Sequence, residues 1–114
     1  MRYAELPGTS IEVSKIGMGC YAASGVYGDF EKGSFTKLLR DGYEQGVTLF
    51  DTAAQYGESE QILGEAVRPF RHDVVISSKV GLTSEGRRDC SAEHVVQSCE
   101  ASLAKLNTDY IDLY

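Results

Sequence analysis

Apolar positions along the chain fall into short continuous runs, separated by stretches with the spacing of one helix face. Tyr3 to Leu6 and Ile11 to Val13 flank Pro7-Gly8-Thr9-Ser10, a turn-forming quartet that predicts a small β-hairpin. Residues 14–21 are a glycine-bearing candidate strand, and a polar loop through Gly25, Gly28 and Gly33 follows it. Glycines in such a strand let other groups approach the backbone closely. Phe35, Leu38, Leu39 and Tyr43 then fall at i, i+3, i+4 and i+8, which predicts a helix with Ser34 as N-cap and Gly46 past its end.

Two further cycles follow. Residues 47–51 read as a buried strand ending in Asp51, and Gly57, Glu58 and Ser59 open a second helix on Ile62, Leu63, Ala66 and Val67. Pro69 stops it. Residues 74–79 form the next strand and residues 81–89 a polar loop. Ser91 then caps a helix with Val95, Val96, Cys99, Leu103 and Leu106 on one face. Residues 110–114 predict a fourth strand. Continuous rather than alternating apolar strands, each followed by a helix, are the mark of a parallel sheet covered by crossover helices, so the class is α/β.

An open doubly wound sheet and a closed eight-stranded barrel both produce this pattern. The polar residues favour the barrel, because Asp51 and Lys79 stand at the C-terminal ends of the second and third strands, where barrel enzymes keep their chemistry. A dinucleotide-binding unit of the open type needs Gly-x-Gly-x-x-Gly opening its first helix. Here Gly17-Met18-Gly19-Cys20-Tyr21-Ala22 lacks the third glycine, and no helix follows directly.

Composition narrows the function classes. The chain has 114 residues, 42% hydrophobic and 25% charged, which suits one globular domain. A net charge of -6 argues against a nucleic-acid surface. The three cysteines, Cys20, Cys90 and Cys99, lack Cys-x-x-Cys spacing. They predict neither a disulfide framework nor a zinc site, no metal is expected, and a reducing cytoplasm fits best. No apolar run is long enough for a signal peptide or a membrane span.

Asp51, Tyr56 and Lys79 form the candidate chemistry. Reducing a carbonyl requires a proton for the oxygen as negative charge develops there. A phenol can supply it when a nearby cation favours the phenolate, and a partly buried lysine in turn needs a carboxylate partner. The chain holds one residue of each type, two at strand ends and one on the loop between. Taken singly, each has a structural explanation: Asp51 as a turn cap, Lys79 as a solvated strand end, Tyr56 as one tyrosine among seven. A barrel enzyme forming a Schiff base on Lys79 is a further reading. His72 and His94 are assigned surface or capping roles, Cys20 a packed thiol, and Asp112 a structural hydrogen bond.

The stretch Asp51-Thr52-Ala53-x-x-Tyr56-Gly57 is followed by Glu60, Leu63 and Gly64, by Ser78-Lys79-Val80 and by Asp109-Tyr110-Ile111-Asp112-Leu113-Tyr114. In order and spacing it resembles the aldo-keto reductases, as do Ile16-Gly17-Met18-Gly19 and Gly46-Val47. The resemblance covers essentially the whole chain. It implies a (β/α)8 TIM barrel, of which residues 1–114 are the N-terminal half, about four βα units behind a hairpin. It implies NADPH-dependent reduction of aldehydes and ketones, with Tyr56 as general acid, Lys79 as the cation that lowers its pKa, and Asp51 as the anchor of Lys79. Asp51 would also lie near the nicotinamide ribose, and Gly19, Cys20 and Tyr21 would line the nicotinamide end of the cofactor.

A complete barrel needs roughly 250 residues. The family's catalytic histidine falls a few residues beyond the motif matched by Asp112-Leu113-Tyr114, and the strands that complete the cofactor site come later still. The chain is therefore expected to be truncated and inactive alone. Open barrel edges imply self-association, and the alternative reading is a non-catalytic half-barrel that serves as an interaction or regulatory module. The expected small-molecule partner is a carbonyl substrate.

Overall fold

In a computed structural model of the chain, residues 1–83 and 85–114 are described. Ser84, within the predicted loop 81–89, lies outside the described residues. The hairpin forms as expected, with β1 (Tyr3–Glu5) antiparallel to β2 (Glu12–Ser14). Its last residue ties it to the sheet. Ser14 N donates to Thr48 Oγ1 over 2.8 Å, and Thr48 N donates to Ser14 Oγ over 2.9 Å.

A parallel sheet of β3 (Met18–Gly19), β4 (Leu49–Asp51) and β5 (Val75–Ser77) forms in that spatial order. All three strands are shorter than the predicted runs. Met18 pairs with Phe50, Gly19 with Asp51, Phe50 with Ile76 and Asp51 with Ser77. Alternation along a strand then assigns the faces. Phe50 and Ile76 point into the core, while Leu49, Asp51, Val75 and Ser77 share the opposite face.

Three helices cover the core face: α1 (Lys32–Glu44), α2 (Ser59–Val67) and α3 (Ala92–Leu106). One layer of helices on one face of a sheet gives a slab 38 × 38 × 22 Å. The core consists of Leu39 from α1, Ile62, Leu63, Ala66 and Val67 from α2, Phe50 and Ile76 from the sheet, and Leu106 from α3. Fully burying a side chain of this size contributes about 1.5–3 kcal/mol. The middle helix α2 buries all four of its predicted apolar residues.

Several expectations are corrected. Ser34 does not cap α1; Glu31 does, with an extended backbone and a carboxylate that accepts from Gly33 N and Ser34 N. A longer acidic side chain performs here the capping that a serine performs elsewhere. On α1 Leu38 is 52% exposed and on α3 Val96 is 57% exposed, so both lie off the buried stripe. Val95, Cys99, Ser102 and Leu106 follow helical spacing more closely and form the inward stripe of α3.

The predicted fourth strand is reduced to one parallel bridge, Ser77 to Leu113, beside β5. Its cause is Asp112. The carboxylate accepts Ile76 N over 2.9 Å, in place of a strand carbonyl, and also pairs with Arg71 over 2.8 Å. Arg71 is 8% exposed and donates further to Val74 O, Tyr110 O and Thr108 Oγ1. Such a buried cation is tolerated because nearly every donor has an acceptor. Asp112 thus has the structural role expected of it.

Gly64 is where α2 and α3 meet. A Cβ there would collide with the backbone carbonyl of Leu106, and backbone cannot swing aside as a flexible side chain can. Gly64→Ala should therefore destabilise the fold by about 1–3 kcal/mol, read as a lower midpoint in urea unfolding. An unchanged midpoint would mean that the two helices are not held this close.

Candidate active site

Asp51 ends β4, and Lys79 lies two residues beyond β5. Register places Asp51 opposite Ser77, and alternation returns Lys79 to the same face. The consequence is a contact: Lys79 Nζ lies 2.6 Å from Asp51 Oδ1 and donates to Thr52 O over 2.8 Å. Ser77 Oγ donates to the same Asp51 oxygen over 3.0 Å. An ammonium has three N–H donors. Two are used among the described residues, by Asp51 and Thr52.

Both partners of this ion pair keep 43% of their side-chain surface exposed, so solvent screens it and it adds little to stability. Its value is positional. The loop after β4 carries Tyr56, held by hydrogen bonds from Tyr56 N to Ala53 O and from Ser59 N to Tyr56 O, each 3.0 Å. The Lys79 ammonium stands over the Tyr56 ring, 5.4 Å from its centroid, within reach of a cation–π attraction. Lys79 is therefore gathered at one rim with Asp51 and Tyr56, which lie 28 and 23 residues before it.

Of the residues expected to line a cofactor, Gly19 is open, with nothing within 4 Å of where a Cβ would stand. Tyr21 is 42% exposed and packs on Tyr56 at 4.7 Å between ring centroids. Cys20 differs. Its N–H donates to Asp51 O over 2.8 Å, while its thiol is fully buried in the core. Burial, then the Asp51 charge, push that thiol up to about 12, partly offset by a Ser59 hydrogen bond and by Lys79. A neutral, buried thiol is a poor nucleophile.

His72 stacks on Tyr110, its Nδ1 3.2 Å from the Tyr110 hydroxyl, and precedes β5 at the end of the sheet opposite Asp51. His94 Nε2 lies 3.3 Å from Ser98 Oγ on α3. Neither histidine reaches the Asp51 cluster. Ser77 was not singled out beforehand, although its two-residue spacing from Lys79 was a usable signal. Among the described residues no group of three or more His, Cys, Asp or Glu side chains is arranged to hold a metal ion. Among them, too, no helix is long and apolar enough to cross a membrane.

Residues 15–114 match the family model described as Aldo/keto reductase family. The chain belongs to the aldo/keto reductase family. It is similar to the aldo-keto reductase YhdN of Bacillus subtilis, 36% identical over 122 residues that span 100% of this chain and 37% of the relative. An aldo-keto reductase from Bacillus halodurans, solved in its holo form, superposes with a TM-score of 0.88 at 29% identity, over 100% of this chain and 39% of that one. Another from Klebsiella pneumoniae, solved with NADP and acetate, superposes with a TM-score of 0.69 at 30% identity, over 89% of this chain and 34% of that one. The chain spans well under half the length of these relatives. Its fold is the N-terminal portion of their (β/α)8 barrel, and the slab, a sheet with helices on one face, is an arc of that barrel.

The thiols distinguish buried from exposed positions directly. Cys90 is exposed and Cys20 is buried, so iodoacetamide should label Cys90 in the folded chain and Cys20 only on unfolding, as read by mass spectrometry. The raised Cys20 pKa also sets a pH dependence. The stability it carries is complete below pH 9.0 and is lost as pH rises toward about 12, because the unfolded thiol ionises first. Cys20→Ala should flatten that alkaline decline in unfolding free energy. An equally steep decline in the variant would assign it to other groups.

Proposed function

We propose that this chain carries the proton-donating side of an NADPH-dependent carbonyl reductase that converts aldehydes or ketones to alcohols. The observation that carries the reading is the gathering of Asp51, Lys79 and Tyr56 at one rim of the sheet, with Lys79 held in two hydrogen bonds. NADPH, when bound, supplies a hydride to the carbonyl carbon.

The chain's own residues do the rest. Tyr56 gives its phenolic proton to the carbonyl oxygen as negative charge grows there. Lys79 stabilises the phenolate left behind, and Asp51 keeps the ammonium in place. The phenolate then regains a proton from solvent, which returns the site to its starting state. General acid catalysis of this kind contributes about 10²- to 10⁴-fold to a rate.

The open Gly19, the exposed Tyr21 and the half-exposed Asp51 fit the nicotinamide end of such a cofactor, since a flat ring can approach a glycine without meeting a side chain. Cofactor identity rests partly on the likeness to the structure solved with NADP. A reducing compartment such as the cytoplasm suits Cys20, Cys90 and Cys99, which are all free thiols.

Fluorescence titration with NADPH, paired with turnover of a model aldehyde, tests the assignment. Residues 1–114 are expected to be inactive alone, so in a complete barrel carrying them Tyr56→Phe should bind NADPH as the parent does and lose turnover by about 10²-fold or more. Turnover retained by Tyr56→Phe would remove the tyrosine from the proton-donating role.

A further inference from the structure

Behind the Asp51–Lys79 pair, on the core face of the sheet, lie four buried polar side chains that packing alone does not require. Thr52 and Ser59 are both 0% exposed, Glu60 is 1% exposed and Ser78 is 3% exposed. They form two hydrogen bonds: Thr52 Oγ1 to Ser59 Oγ, and Ser78 Oγ to Glu60 Oε1, each 2.7 Å. Thr52 follows Asp51 and Ser78 precedes Lys79, so each bond grips a strand end one residue from a member of the pair. Both grips come from the first turn of α2.

Glu60 is the costly member. Its Oε2 has no hydrogen-bond partner, and its nearest cation, Lys105 Nζ, stands 3.9 Å away. Burying a half-satisfied carboxylate is unfavourable, and an apolar residue of similar volume commonly does as well or better for stability. An acid in the first turn of a helix gains from the helix dipole, but that gain needs only the charge and makes no use of the Ser78 hydroxyl. A fixed distance between α2 and the end of β5 does need it.

We propose that Glu60 is a positioning residue for Lys79, acting through Ser78, and that Ser59 and Thr52 form the matching grip behind Asp51. The loop between these grips carries Tyr56, so one helical turn sets the places of all three rim residues. Glu60 touches none of the reacting groups, and its catalytic relevance rests on the carbonyl-reductase reading above.

The test follows the Lys79 ammonium signal by NMR in the chain labelled with ¹⁵N-lysine, since an ammonium held by Asp51 and Thr52 exchanges its protons slowly. Ser78→Ala and Glu60→Leu should each broaden or abolish that signal, and Ser78→Thr, which restores the hydroxyl, should bring it back. Leu39→Ala, a core change on α1 that touches none of the four hydroxyl and carboxyl groups of the grip through a hydrogen bond, should lower the unfolding midpoint and leave the signal in place. Where Glu60→Leu fails to fold, the serine pair decides.

In turnover by a complete barrel, Ser78→Ala should lower kcat about tenfold while KM stays within about twofold of the parent, as expected for a displaced catalytic group. The proposal is overturned if folded Ser78→Ala keeps the parent Lys79 signal, if Leu39→Ala loses it equally, or if the parent chain shows no protected Lys79 ammonium. A complete barrel that holds Lys79 and reduces no aldehyde would instead sink the carbonyl-reductase reading and leave the grip standing.

Discussion

The parallel register between β4 and β5, with Asp51 opposite Ser77, is the constraint on which the rest of the site depends. A slip of one residue would turn Asp51 into the core and bring Phe50 onto the opposite face. Phe50 is fully buried, so the hydrophobic core enforces the register that brings Asp51 and Lys79 together. Asp51 and Lys79 then meet because both lie on the same side of adjacent strand ends. No long-range electrostatic search is needed.

Helix α2 transmits that constraint. It packs between α1 and α3, buries Ile62, Leu63, Ala66 and Val67 against the sheet, and lets α3 approach closely at Gly64. Its first turn reaches the strand ends through Ser59 and Glu60. The Tyr56 loop is therefore short and tied at both ends, which leaves its side chain little freedom to wander. At the opposite end of the sheet, Arg71 and Asp112 join the segment before β5 to residues 110–112.

The sequence made the architecture legible where one physical effect dominated. Hairpin, helices and parallel strands followed from turn residues and apolar spacing, and the rim residues from their places at strand ends. The departures have separate causes, some local and some tertiary, that apolar spacing does not reveal. Glu31 capped α1 because its carboxylate reached two backbone N–H groups, Val96 fell outside the buried stripe, and Asp112 took a hydrogen bond that a strand would have used. Ser59, Glu60 and Ser78 were legible as residues, but their buried pairing was not, since nothing in spacing says that two polar groups meet across a helix and a sheet.

Mass spectrometry of the alcohol that a complete barrel forms from an aldehyde, with NADPH deuterated at the transferable C4 position, tests whether hydride arrives from a nicotinamide while this rim protonates the carbonyl oxygen. The expected alcohol carries deuterium on the carbinol carbon and a hydroxyl proton that exchanges with solvent. An alcohol without that deuterium, or a borohydride-trapped substrate adduct on Lys79, would contradict that chemistry.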